Sequence, residues 1–342
     1  MKERTIWIDY LKVIGIWLVV LGHRNLLDTD YTQLIYCFHM PLFFVISGYL
    51  AGDSSFRQSV MKETNRLLMP FIATSTILLL IEGLKWVLVS VRHHDIALIV
   101  KNFLPTIYGS ILGMGYGTES LHPVCAPLWF LITLFCVKSL HTMLYSIKWH
   151  VFAGVLCVFM SIILSYIHIQ IVLPVVISVL AYPFFLLGTL LKQVDFKCVN
   201  SRMGGAKEWT LLSIAIILLI GTIVISNTNG RVEMAKFNLG NSPLLYYLAS
   251  ITGSFCLILL CRFLFLGAKL FDGIKVLSSG TMIILGFHLL LIDIIEQVFQ
   301  LLGISTNTNV VGLIISMLVM LLSVPMINFT KRKFPILLGY RS

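Results

Sequence analysis

Residues 209–226 read WTLLSIAIILLIGTIVIS, a run of eighteen positions without a charged side chain. A helix of about 20 apolar residues crosses the roughly 30 Å hydrocarbon core of a bilayer, whereas buried helices of soluble proteins have shorter apolar runs. Residues 209–226 are therefore predicted to form a transmembrane helix.

Runs of the same kind occur along the whole sequence. Of the 342 residues, 58% are hydrophobic and 12% are charged, whereas a soluble domain has about 25% charged residues. This composition excludes a disordered chain, a nucleic-acid-binding domain and an ordinary cytosolic enzyme. We predict an all-α, polytopic transmembrane bundle of about ten helices that forms a single domain over residues 1–342. The predicted spans are 5–24, 33–52, 67–90, 125–146, 150–168, 171–191, 209–226, 243–266, 279–301 and 309–329.

Lysine and arginine are distributed unevenly among the gaps between these spans. Cytoplasmic loops of membrane proteins are enriched in both residues. With the N-terminus inside, seventeen of them fall in cytoplasmic segments and five in outer segments. Both termini are therefore predicted to be cytoplasmic. The net charge of +10 is then explained by orientation and by contact with anionic lipid.

One apolar stretch, 96–117, differs from the others because it contains Lys101, Pro105 and a glycine-rich end. It is predicted to be a re-entrant or interfacial segment. A full eleventh span is the alternative, but it would disturb the distribution of basic residues.

The seven cysteines are odd in number, and they form no CxxC or Cys/His metal-ligand spacing. We therefore expect neither a disulfide framework nor a metal site. The first apolar run contains Asp9 and Lys12 and has no small-residue cleavage site, so a cleavable signal peptide is not expected.

Three ionisable residues of the first span are predicted to share one helix face. Lys12 and His23 are eleven residues apart, which places them about 20° apart around the helix axis and about 16 Å apart along it. Asp9 lies within about 60° of both. A charge inside a membrane costs about 2.5–3.5 kcal/mol, so each needs a partner, a wet cavity or a function. An interfacial Asp9–Lys12 pair and an interfacial His23 form the alternative without a chemical role.

Further candidates lie in other predicted spans. His39 is close in depth to His23, because a short outer loop joins the first two spans. Ser47 and Gly48 are typical of close helix packing. His288 lies mid-span in the ninth span, and Trp129, near the start of the fourth, fits an interfacial anchor. Histidine exchanges a proton near neutral pH, so these residues indicate a membrane-embedded acid/base or proton-relay protein, either an enzyme or a transporter.

The first span, RTIWIDYLKVIGIWLVVLGH (4–23), resembles the opening of the acyltransferase-3 family of integral-membrane acyltransferases. That family has an aspartate, then a basic residue, then ten residues and a histidine, which here are Asp9, Lys12 and His23. The similarity continues through four later stretches, and it is closer to the fucose 4-O-acetylase-like members than to members with a fused extracytoplasmic domain. Lys12 stands where the family usually has arginine, which binds bidentately where lysine is a point charge. The four stretches are FHMPLFFVISGYL (38–50), RLLMPF (66–71), PLWFLITLF (127–135) and LSSGTMIILGFH (277–288).

This resemblance implies the transfer of an acyl group, commonly acetyl from cytoplasmic acetyl-CoA, to a hydroxyl of a cell-surface glycan or its lipid-linked precursor. The catalytic residues expected are His23 as general base or transient acyl carrier, Lys12 as the residue that orients donor or charge, and His39 near the acceptor. Acetyl-CoA is expected as a donor substrate, with no tightly bound cofactor and no metal. The residues expected at the donor phosphates are Arg57, Arg66 and the basic loop 192–207, and the other substrate-binding candidates are Asp9, Ser47, Trp129 and His288.

The protein is expected in the inner or plasma membrane as a multi-pass protein. A transporter that uses the buried charges as a proton relay is the principal alternative, although no inverted repeat is visible. A non-catalytic subunit of a glycan-assembly complex is a third possibility. The sequence does not distinguish among acceptors or acyl lengths.

Overall fold

The computed structural model describes residues 5–24, 29–52, 54–118, 120–124, 126–144, 146–167, 172–193 and 205–339. Within these ranges the chain is helical, and the β pairing consists of one isolated bridge between Glu233 and Asn238. The all-α class predicted from the sequence is confirmed. In chain order the helices are α1 (Ile6–Gly22), α2 (Thr29–Tyr49), α3 (Phe56–Glu63), α4 (Met69–His93), α5 (Leu104–Ile111), α6 (Trp129–Met143), α7 (Ile147–Ser165), α8 (Pro174–Gln193), α9 (Gly205–Asn229), α10 (Pro243–Phe265), α11 (Asp272–Ser279), α12 (Thr281–Leu301) and α13 (Asn309–Lys333).

Each of the ten predicted spans corresponds to one helix, with ends that differ by a few residues. Eight helical segments in the described ranges are long and apolar enough to cross a membrane. The first two predicted spans are outside this set: α1 has 17 residues, and α2 begins with the polar stretch TDYTQ (29–33). The protein is thus a polytopic helical membrane protein, while the count of ten crossings and the cytoplasmic termini stay predictions.

The segment 96–117 contains a short helix, and its re-entrant or interfacial placement stays a prediction. A π-helical turn, Ile99–Phe103, leads directly into α5. Thirteen helical residues extend for about 20 Å, which is less than the hydrocarbon thickness.

The contacts between residues divide the chain into two compact units. Unit 1 comprises Met1–Gly52, Phe184–Glu233 and Asn238–Phe329, and unit 2 comprises Asp53–Pro183, Met234–Phe237 and Thr330–Ser342. The single-domain prediction stays a prediction.

Helix α1 lies at the centre of unit 1, where it packs against α2, α10, α11 and α12. One buried cluster joins α1, α2 and α10 through Trp7, Leu11, Leu42, Ile46 and Cys261. Helix association in a membrane depends on close van der Waals packing rather than on exclusion of water. Twelve of the seventeen residues of α1 are buried, so most of its surface faces other helices.

Two glycines bring α2 and α8 into backbone contact in unit 1. A Cβ on Gly48 would collide with the carbonyl oxygen of Phe185, and a Cβ on Gly188 would collide with that of Val45. This contact confirms that the Ser47–Gly48 pair marks close helix packing. It also fixes the position of α2 in unit 1.

Unit 2 contains the helical segment Phe56–His93, in which a π-helical turn, Thr64–Leu68, connects α3 to α4. Helix α3 packs against α6, where Lys138 Nζ lies 2.8 Å from Glu63 Oε2. This pair explains how Lys138 is accommodated within a predicted span. On α4, Lys85 Nζ lies 3.0 Å from Glu82 Oε1, one helical turn away.

Candidate active site

The candidate active site lies in unit 1 at the end of α1. His23 terminates the helix, and its backbone N–H donates to the carbonyl of Val19 at 3.1 Å. Gly22 precedes it, and a Cβ there would lie 3.0 Å from the Tyr36 ring. The absence of a side chain at this position allows α2 to bring Tyr36 close to His23, with ring centroids 6.1 Å apart.

His288 of α12 contacts the His23 ring, with centroids 5.0 Å apart. The Nδ1 atom of His288 lies 3.0 Å from the carbonyl oxygens of both Ile284 and Leu285. Because a carbonyl only accepts, this assigns the proton to Nδ1 and leaves Nε2 with a lone pair. His288 is 0% exposed, and its Nε2 has no hydrogen-bond partner among the described residues. A buried, unpaired acceptor beside His23 costs stability, and a catalytic role is one of the reasons for which such a group is retained.

His39 of α2 extends the cluster, because its ring lies 5.0 Å from that of Tyr36. Its Nδ1 is 2.8 Å from the carbonyl of Ile35, which assigns the same tautomer as in His288. Two residues later, Pro41 lacks an N–H and cannot bond the carbonyl of Cys37. Ser250 of α10 donates to that carbonyl at 2.6 Å, so the interruption of α2 is satisfied by a neighbouring helix.

Asp9 and Lys12 lie on the first turns of α1, far from His23. The carboxylate of Asp9 accepts a hydrogen bond from Ser278 of α11 at 2.5 Å, and Asp9 is buried. Lys12 is half-buried. The stretch LSSGTMIILGFH (277–288) therefore contacts α1 at two levels, through Ser278 at one end and His288 at the other.

The C-terminal end of α1 is also joined to α12 by an ion pair. Arg24, which follows His23 directly, has its Nη1 atom 2.5 Å from Glu296 Oε1. Its Nη2 donates to the carbonyl of Thr306.

The remaining predicted site residues do not join this cluster. Ser47 lies eight residues beyond His39, about 12 Å further along α2, so it is not placed at the imidazoles. Arg57 and Arg66 are exposed residues of unit 2, on α3 and on the π-helical turn. Trp129 is buried in unit 2 against Gly115, so the interpretation of its ring as an interfacial anchor is wrong.

Part of the basic loop 192–207 lies outside the described residues, which exclude 194–204; Cys125 and Cys198 lie outside them as well. The five other cysteines carry free thiols. The described ranges contain no group of three or more His, Cys, Asp or Glu residues arranged to hold a metal ion.

Sequence reasoning missed Tyr36, Arg24 and the role of Glu296. Tyr36 precedes His39 by three residues, which places both on one face of α2. From the sequence, Arg24 is one of the five basic residues predicted to lie in outer segments. Basic residues are uncommon in outer segments. The position of Arg24 was therefore the available signal that its charge has a partner.

The fold and the site define a membrane-embedded helical protein with an internal histidine cluster. The model of the acyltransferase-3 family, whose description is "acyltransferase domain", matches residues 5–328, nearly the whole chain. The chain belongs to this acyltransferase family, which confirms the resemblance seen in the sequence.

Two relatives are similar over a shorter region. A nodulation protein, NolL, from Sinorhizobium fredii (strain NBRC 101917 / NGR234) is 42% identical over 85 residues, which are 21% of this chain and 23% of its own. Nodulation protein NolL from Mesorhizobium japonicum (strain LMG 29417 / CECT 9101 / MAFF 303099) is 37% identical over 91 residues, 22% of this chain and 24% of its own. The chain thus matches about a quarter of the length of these relatives. No solved structure matches it.

Proposed function

We propose that this acyltransferase is a membrane O-acyltransferase that moves an acetyl group from cytoplasmic acetyl-CoA to a hydroxyl of a cell-surface glycan or its precursor. The observation that carries the proposal is the contact between His23 and the buried His288, whose Nδ1 is engaged and whose Nε2 is available. Membership of an acyltransferase family favours catalysis over the transporter alternative.

The proposed reaction uses His23 as the group that handles the proton. An unprotonated ring nitrogen of His23 takes the proton of the acceptor hydroxyl as its oxygen attacks the thioester carbonyl. The carbon–sulfur bond then breaks, and the protonated ring returns the proton to the leaving thiolate. The lone pair of His288 lies beside the ring that becomes positive and stabilises it. An alternative route, in which a His23 nitrogen first accepts the acyl group and then passes it to the hydroxyl, uses the same neighbours.

Tyr36 and His39 are proposed to bind the acceptor. Both side chains belong to α2, and Tyr36 faces the His23 ring. A phenol and an imidazole both donate and accept hydrogen bonds, which suits the hydroxyls of a sugar.

Donor binding is assigned to positive charge on the side predicted to be cytoplasmic. Arg57 and Arg66 are exposed. Both belong to the segments predicted to be cytoplasmic, which contain most of the lysine and arginine residues. Lys12, on the face of α1 that also carries His23, is proposed to orient the donor along that helix. Asp9 holds this end of α1 through Ser278.

Two substitutions of Lys12 show whether acyl transfer depends on its positive charge or only on its size. If the site needs a positive charge, Lys12→Arg retains acyl transfer, whereas Lys12→Met loses it at least about tenfold because a charge-assisted interaction with the donor is removed. The measurement is the rate of transfer per folded protein. A Lys12→Met variant with wild-type activity would show that Lys12 only snorkels to the membrane surface.

The sidedness of the reaction tests the proposed donor. CoA is too large and too charged to cross the bilayer, so inside-out vesicles are expected to use added labelled acetyl-CoA. Sealed right-side-out vesicles are expected to leave it unused until they are permeabilised. Equal use by both preparations before permeabilisation would place the donor site on the outer face and contradict the proposal.

A further inference from the structure

The ion pair between Arg24 and Glu296 lies one residue beyond His23, and the present inference about it rests on the proposed function of His23. The Arg24 side chain is 11% exposed and that of Glu296 is 25% exposed. The Nε atom of Arg24 is buried without a hydrogen-bond partner among the described residues. An arginine in such a position is costly unless its pairing is required, and removal of one partner leaves the other charge uncompensated.

Both ends of this ion pair are connected to the imidazole pair through the backbone. Arg24 adjoins His23, and Glu296 follows His288 by eight residues on the same helix. Eight residues place Glu296 about 12 Å further along α12 than His288, and about 80° away from it around the helix axis. A single peptide bond separates His23 from Arg24, whereas two turns of rigid helix separate His288 from Glu296.

His23 depends on this anchor because α1 ends there. Its N–H completes the last helical hydrogen bond, to Val19, but helical geometry beyond the cap no longer fixes the chain. Arg24 binds α12 through Glu296 and binds the following loop through the carbonyl of Thr306. Two separate bonds from one guanidinium restrict rotation of the end of α1 relative to α12.

We propose that Arg24 and Glu296 are positioning residues that hold the His23 ring against His288 and set its direction toward the reacting carbonyl. They act through His23 and do not touch the reacting atoms. A displacement of about 1 Å in such a group lowers a rate by as much as about a hundredfold.

The test compares Arg24→Gln, Glu296→Gln and the exchanged pair Arg24→Glu/Glu296→Arg. Each single variant is expected to lower kcat about 10-fold to 100-fold, with KM for acetyl-CoA changed less than twofold, because donor binding does not involve these residues. The exchanged pair restores the ion pair but not the bond to Thr306, because a glutamate at position 24 cannot donate to a carbonyl. It is therefore expected to have a higher kcat than either single variant without reaching the wild-type value. Lys85→Gln, which breaks the exposed pair with Glu82 on α4, is the matched control and is expected to retain wild-type kcat.

A second measurement does not require acyl transfer. Diethyl pyrocarbonate acylates unprotonated imidazole, and mass spectrometry of the peptide that contains His23 gives its rate of modification. We expect this rate to change at least about threefold in each single variant and to return toward the wild-type value in the exchanged pair. If the wild-type protein transfers no acyl group, the proposed function fails, and the modification rates alone then decide whether the ion pair positions His23.

Two results would overturn the inference. One is an unchanged modification rate and an unchanged kcat in both single variants. The other is a lower yield of folded protein or a lower melting temperature, with kcat per folded protein and the modification rate at wild-type values. A purely structural ion pair would give this pattern.

Discussion

Replacement of His23 by alanine is expected to lower acyl transfer at least about a hundredfold, since a methyl group cannot exchange a proton or carry an acyl group. The variant is expected to insert and fold, because His23 caps α1 through its backbone and the substitution leaves that hydrogen bond in place. The measurement is the transfer of labelled acetyl to glycan, with mass spectrometry of surface-glycan acetylation in cells as a second readout.

The matched control for this variant is His93→Ala. His93 is the last residue of α4 in unit 2, and its side chain is exposed. It is expected to retain wild-type transfer. Loss of a general base lowers a rate at least about a hundredfold. If His23→Ala keeps more than about a tenth of the wild-type rate, His23 has no part in the mechanism.

The second large effect concerns the contact between α2 and α8. Gly188→Ala is expected to destabilise the protein by about 2–3 kcal/mol, the cost of forcing extra volume into a packed interface. The added Cβ would collide with the carbonyl oxygen of Val45 and lie 2.8 Å from the backbone nitrogen of Tyr49. Backbone atoms cannot rotate away as a side chain does, so the two helices must separate.

Gly221→Ala provides the matched control on α9. No atom lies within 4 Å of a Cβ at that position, and alanine is favoured over glycine in a helix by about 0.5–1 kcal/mol. Thermal unfolding in detergent is expected to show a lower melting temperature for Gly188→Ala and an equal or higher one for Gly221→Ala. Equal melting temperatures for Gly188→Ala and the wild-type protein would contradict the close helix contact.

The helices were predictable because the membrane imposes a length on every span. The run over 209–226, for example, falls within α9. The pair Ser47–Gly48 correctly indicated close packing. Each of these features is local, since it depends on the properties of one stretch of chain.

Partners in space were less predictable because they depend on which helices adjoin. The spacing of Asp9, Lys12 and His23 shows that they share one face of α1, but it does not show that Ser278 and His288 lie against that face. The pairing of Arg24 with Glu296 joins residues that are distant in sequence. Trp129 was misjudged for the same reason, because its position near the end of a helix hides its burial against Gly115.

The central claim is that His23 performs acyl transfer from a CoA thioester. Its most direct test is the release of CoA thiol by purified protein in detergent, measured with a panel of acetyl-, propionyl- and succinyl-CoA in the presence and absence of a glycan acceptor. The wild-type protein is expected to release thiol slowly from acetyl-CoA alone and faster with an acceptor, whereas His23→Ala is expected to release it at the uncatalysed rate. Equal release by the two proteins, or no release from any member of the panel, would contradict the claim.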